Sequence, residues 1–157
     1  AHIFSELLDE ALFDGHTFGD LVARHRRPMI FIHASDMLSL SRFEFNQFQF
    51  DLLCSDLSQL PISVATASSA ALPVILSPIS MTNYAGRCEY QPSMLLLDHT
   101  HTSLGRQRAH ELRSYLDPKK RPYIHLLDGG LSDNIGMREV LESTAFVGDL
   151  GSTFTSL

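Results

Sequence analysis

The feature that most constrains this chain is Tyr123-Ile124-His125-Leu126-Leu127 running directly into Asp128-Gly129-Gly130. The pentapeptide has the composition of a buried strand. The two glycines end it and allow a tight turn with close backbone approach. The expectation is a carboxylate, Asp128, at the C-terminal end of a strand, where open α/β sheets gather their chemistry. Asn134 follows closely enough to tie that loop down through its side-chain amide.

A second run, Met29-Ile30-Phe31-Ile32-His33-Ala34, opens after Pro28 and is apolar without alternation. Such a strand is buried on both faces, as in a parallel sheet covered by helices. Together the two runs predict an α/β fold with a mostly parallel sheet and helices on both faces. Ser5 is placed to cap a first helix with Phe4, Leu7, Leu8, Ala11 and Leu12 on one face, ended by Asp14-Gly15. Thr17-Phe18-Gly19-Asp20 has the form of a capping box for a second. Between Pro61, which can start a helix, and Pro73, which cannot continue one, lies the small-residue stretch Ala65 to Ala71. Further helices are expected from Ser103 to Leu116, with Ala109, Leu112 and Leu116 inward, and from Ile135 to Ser143. The parity change at Asn46-Gln47, between Phe43/Phe45 and Phe48/Phe50, reads as a hairpin or a bulge. A short strand is expected at Met94 to Leu97.

The chain has 157 residues, enough for one domain that buries roughly two-thirds of its unfolded surface. Residues 1–147 read as that unit, and 148–157 as a loose polar tail. A hydrophobic fraction of 44% and a charged fraction of 19% are those of a globular chain. The net charge of −6 argues against a general nucleic-acid binder. No apolar run approaches the roughly 18 residues of a membrane span. Cys54 and Cys88 lie far apart without metal-ligand spacing, as two thiols or one disulfide. Ala1 opens the chain without an initiator Met, which leaves any targeting segment upstream unseen.

Asp128-Gly129-Gly130-Leu131-Ser132-Asp133-Asn134 resembles the Asp-Gly-Gly-x-x-x-Asn signature of patatin-like phospholipases. Ala67-Ser68-Ser69-Ala70-Ala71-Leu72-Pro73 resembles that family's Ala-Ser-x-Ala-x-Pro segment. The resemblance extends from about Thr17 to about Leu141. It implies a three-layer patatin-like fold and a lipid acyl hydrolase without metal or organic cofactor, acting on phospholipid or neutral acyl esters. In that family a serine attacks the ester carbonyl and an aspartate, without a histidine, takes its proton. Carried over, Asp128 matches the dyad base, and Gly129, Gly130 and Asn134 match its supporting loop. The family's nucleophile sits in Gly-x-Ser-x-Gly on a strained turn. That pentapeptide and the glycine-rich oxyanion loop do not occur here; both would precede Ala1. The resemblance therefore implies a chain that holds part of the fold and half the active site, with the isolated chain inactive. It also implies work at a lipid surface.

Other residues have plainer readings. Asp98-His99-Thr100-His101 with His110 has the ligand types of a metal site, but a surface loop is the commoner context, and no metal is expected. His33 and His125 read as core histidines with one ring nitrogen satisfied. Ser68 and Ser69 lack elbow glycines and read as packing residues. Arg106, Arg108, Arg113, Lys119, Lys120 and Arg121 hold six of the chain's twelve basic residues; they could meet anionic headgroups, but a solvated face is favoured because Glu111 and Asp117 are interspersed. Two rival classes stand beside the serine hydrolase: a non-catalytic binding or assembly module of the same fold, and a metal-dependent hydrolase using His99 and His101. Partners are expected to be a lipid or acyl-ester substrate, a membrane surface contacted peripherally, and another chain or the missing N-terminal half against an exposed sheet edge. Met29 to Ala34 is the edge of greatest hazard, exposing Ile30, Phe31 and Ile32.

Overall fold

The computed structural model describes residues 1–24, 30–92 and 103–134. Its elements in chain order are α1 (His2–Leu8), a π-helical turn (Asp9–Phe13), α2 (Phe18–Ala23), β1 (His33–Asp36) and β2 (Arg42–Glu44). Then come α3 (Gln47–Leu52), a 3₁₀ turn (Leu57–Gln59), α4 (Ile62–Ser69) and β3 (Ile79–Thr82). The last are α5 (Ser103–Tyr115), β4 (Tyr123–Leu127) and α6 (Gly130–Asp133).

The four strands form one sheet in the order β2-β1-β4-β3, and every pairing is antiparallel. This corrects the expectation of a mostly parallel, three-layer α/β fold; the chain is a small α+β domain. The reason is local. Only residues 37–41 join β1 to β2, and a connection that short can return the chain only antiparallel, since a parallel crossover takes a dozen residues or more. The paired part of the first apolar run also begins later than expected. β1 starts at His33 and carries Ser35 and Asp36, while Ile30 and Phe31 ahead of it are more than half exposed. β1 is interior to the sheet, so His33 and Ala34, the part of that run in the sheet, are not at an edge; among the described residues the edges are β2 and β3. β4 alternates: Ile124 and Leu126 are buried, while Tyr123 and His125 face outward. Its face toward the core is apolar and the other is partly wet, the pattern of an antiparallel sheet.

The core lies between the Ala34/Phe43/Ile124/Leu126 face of the sheet and α4, with Phe18, Phe45, Phe50, Ile62, Ala65 and Tyr115 packed into it. Phe43 is its hub, with ring centroids 5.4 Å from Phe45, 6.2 Å from Phe50 and 6.0 Å from Tyr115. Such edge-on pairs add to the apolar burial itself. α4 owes its close approach to Ala65, Ala67 and Ser68, all buried. The parity change at Asn46-Gln47 is neither hairpin nor bulge: β2 ends at Glu44, and Asn46 caps α3 by accepting from the Gln49 N–H at 2.8 Å. The Thr17 box forms as expected, with Asp20 Oδ2 accepting from the Thr17 N–H at 2.9 Å. Ser5 does not cap: α1 begins at His2, and Ser5 lies inside it, donating to the His2 carbonyl. Leu7 and Leu12, expected on the buried face, are exposed.

Cys54 and Cys88 form a disulfide, with Cα atoms 5.6 Å apart. Among the described residues no helix is long and apolar enough to cross a membrane. The expected strand at Met94 to Leu97, the helix from Ile135 to Ser143, the tail from Gly148 and the histidines at 99 and 101 lie outside the described residues.

Candidate functional site

Asp128 directly follows the last residue of β4 and is half-buried. Its backbone is held from two sides. On the core side, the Asp128 N–H donates to the Ala71 carbonyl at 2.9 Å and the Gly129 N–H donates to the Ser69 carbonyl at 3.0 Å. The two stretches of sequence that carry the family resemblance are thus joined by two backbone hydrogen bonds. On the β1 side, Ser35 Oγ donates to the Asp128 carbonyl at 2.7 Å and lies 2.9 Å from Ser132 Oγ. His33 Nε2 lies 3.0 Å from the Asp133 carbonyl.

Gly129 is sterically required, and Gly130 is tightly placed against side-chain oxygens. A Cβ on Gly129 would stand 2.7 Å from the His33 carbonyl oxygen. A Cβ on Gly130 would stand 2.9 Å from both Asp128 Oδ1 and Asn134 Oδ1. Gly129 therefore lets the loop sit on β1, and Gly130 leaves room for the carboxylate. Asp128 Oδ1 accepts from the Gly130 N–H at 2.7 Å, a local turn that fixes the side chain. Among the described residues Oδ2 has no hydrogen-bond partner. The loop continues into α6, whose C-cap is Asn134. Asp128, Gly129, Gly130 and Asn134 are thus brought together within one turn.

Ionic contacts brace this loop from behind. Arg42 Nε donates to Glu44 Oε1 at 2.9 Å, Arg108 donates to the same oxygen at 3.0 Å, and the Arg42 guanidinium is 3.7 Å from Asp133 Oδ2. Arg108 also donates to the Arg42 carbonyl at 2.9 Å, which ties α5 to β2. A second cluster sits at the end of β1. Asp36 Oδ2 accepts from Tyr115 Oη at 2.6 Å and from the Arg121 guanidinium, which also lies over the Tyr115 ring. Asp36 is 0% exposed and Arg121 6%, so the ion pair is desolvated. Burial, and then the neighbouring Asp36 carboxylate, push the Tyr115 phenol far above its ordinary value of 10.0. Asn83 Nδ2 donates to the Tyr115 and Arg121 carbonyls and closes the cluster.

These contacts correct the reading of the basic stretch as a solvated face for Arg108 and Arg121 alone; Arg106, Arg113, Lys119 and Lys120 are exposed, as that reading expects. Arg108 and Arg121 are internal ties, and the interspersed acids that suggested solvent hid partners far away in sequence. His125 is not a core residue: it is exposed, with Nδ1 2.7 Å from Ser80 Oγ. His33 is half-buried, and neither histidine hydrogen-bonds the Asp128 carboxylate among the described residues. Ser68 is fully buried and donates to the Val64 carbonyl at 2.8 Å, which keeps its hydroxyl within α4. Ser35, Arg42, Glu44 and Asp36 had no signal in the sequence; a polar residue inside a four-residue strand shows its partner only once the sheet is formed. Among the described residues no group of acidic, histidine or cysteine side chains converges as metal ligands would.

Comparison with known proteins yields no match: no family model, no curated protein and no solved structure matches the chain.

Proposed function

We propose that this chain carries the aspartate base of a Ser–Asp dyad belonging to a lipid acyl hydrolase, with the serine supplied from outside these 157 residues. The observation that carries the reading is the joint between two distant segments. Asp128 and Gly129 hydrogen-bond to Ala71 and Ser69, so the carboxylate has a fixed backbone and, among the described residues, one oxygen without a hydrogen-bond partner. A general base needs that combination of fixed position and free acceptor. In the proposed reaction Asp128 takes the proton of the serine hydroxyl as it attacks the acyl carbonyl. Asp128 passes that proton to the alcohol that leaves as the acyl-serine forms. It then takes a proton from the water that attacks the acyl-serine and returns it to the serine oxygen as the fatty acid departs. The reading rests on the site and not on sheet topology.

One observation favours a second reading, a non-catalytic module. The bond from the Gly130 N–H to Asp128 Oδ1 is a complete structural use of the side chain on its own. A fluorophosphonate probe tests whether a nucleophile lies within this chain; Asp128→Asn in a form that carries the serine separates the dyad from the module. The dyad reading expects no labelling here, because without the nucleophile no covalent adduct forms. Labelling of Ser68 or Ser69 that is abolished by Ala substitution would place a nucleophile inside the chain and overturn the half-site reading.

A further inference from the structure

From Leu57 to Gly86 the sequence contains no Asp, Glu, Lys, Arg or His. Near the middle of that stretch, just past α4, the chain turns outward at Leu72-Pro73-Val74-Ile75-Leu76. Val74 is fully exposed, Ile75 is 73% exposed and Leu72 45%. The turn starts beside the candidate site, since Ala71 accepts the Asp128 N–H. We propose that this turn is an insertion tip that seats the Asp128 site on a zwitterionic or neutral lipid surface.

Three observations argue for lipid. First, the fold does not need these side chains. Val74 has φ +77°, a left-handed conformation that a β-branched residue rarely adopts. Asn or Gly would make the same turn without strain, so an exposed valine there gains its value from outside the chain. Second, most of the N–H donors of the turn are satisfied internally. Leu72 N–H donates to the Ala70 carbonyl, Ile75 and Leu76 N–H both donate to the Leu72 carbonyl, and Pro73 has no N–H. Among the donors only the Val74 N–H is left over, and among the described residues the Pro73, Val74, Ile75 and Leu76 carbonyls accept no hydrogen bond. The tip can therefore bury its side chains while those carbonyls stay at the hydrated interface, since unpaired backbone groups are costly in hydrocarbon. Third, area and charge disfavour other occupants. A stable protein interface takes about 20–30 residues a side, and this turn supplies five, while a fluid surface closes around a protrusion of any shape. α1 abuts the turn, its Ala1 nitrogen donating to Ser77 Oγ at 2.7 Å, and Glu6, Asp9 and Glu10 follow on and just after α1. With a net charge of −6, that flank repels anionic lipid.

The proposal builds on the acyl hydrolase reading only in giving the site a reason to face lipid, and it is tested by binding without turnover. The chain contains no tryptophan, so Ile75→Trp is a reporter without background. Adding phosphatidylcholine vesicles should shift its emission to the blue, and the chain should float with the vesicles at low and high salt alike. A double variant, Val74→Asn with Ile75→Asn, should keep the wild-type melting temperature and partition at least about tenfold more weakly, since burying one such side chain is worth that much. Asp128→Asn should partition like wild type, so failure of the dyad does not register as failure of the tip. The proposal is overturned by no blue shift with vesicles, by undiminished partitioning of the double variant, or by binding confined to anionic vesicles and lost in salt. A blue shift that grows with protein concentration in the absence of lipid would assign the turn to a second copy of the chain and overturn it equally.

Discussion

At the scale of single residues, two side-chain environments carry most of the account. Gly129 is buried against the His33 carbonyl, which is backbone and cannot swing away. Gly129→Ala forces the loop off β1 and should cost about 1–3 kcal/mol, the usual effect of overpacking. Urea unfolding measures it, and an unchanged midpoint would mean that the loop does not sit where described. Tyr115 makes a pH prediction. Its phenol is held neutral by burial and by Asp36, so its folded pKa is raised. A raised group contributes its full stability below the unfolded value of 10.0, and that contribution is lost as pH climbs from there toward the folded value. Stability should therefore fall steeply above pH ~10, and Tyr115→Phe should flatten that fall. Equal alkaline slopes for the two proteins would contradict the buried cluster.

At the scale of elements, the sequence was legible where the signal is local. Thr17 and Asp20 are three residues apart and cap α2; Pro61 starts α4; the glycines after Leu127 end β4. It was illegible where the deciding partner is distant. Asn46 marks the start of α3, yet Phe43 to Phe50 alternates well enough to pass for strand. Arg108 and Arg121 look solvated until Glu44 and Asp36 come to meet them. The two cysteines left the choice open, and the fold closes it. Their disulfide spans a sequence separation of 34, a loop whose closure should stabilise the chain by about 3–4 kcal/mol in the chain-entropy account. It ties the end of α3 to the segment after β3. Reduction, or Cys54→Ser with Cys88→Ser, should lower the urea midpoint accordingly; identical curves with and without reductant would argue that the bond is not formed in solution.

At the scale of the whole molecule, sheet direction was the feature least available from sequence. Unbroken apolar runs suggested strands buried on both faces, but the run before β1 is largely outside the sheet, and the short β1–β2 connection dictates antiparallel pairing. The candidate site was legible because its parts are contiguous: Asp128 to Asn134 is one turn of chain. Its attachment to Ser69 and Ala71 could be suspected only from the resemblance. The central claim is that Asp128 is the base of an acyl-transfer reaction and more than a turn residue. The direct measurement is fatty-acyl ester hydrolysis by a longer form of this protein that carries a Gly-x-Ser-x-Gly serine, with and without Asp128→Asn. The amide keeps an oxygen to accept from the Gly130 N–H but cannot take a proton from serine. The account predicts that the rate falls by about 10²- to 10⁴-fold while the thermal melt stays within a degree or two of wild type. An Asp128→Asn protein that still folds and hydrolyses ester at the wild-type rate would contradict it.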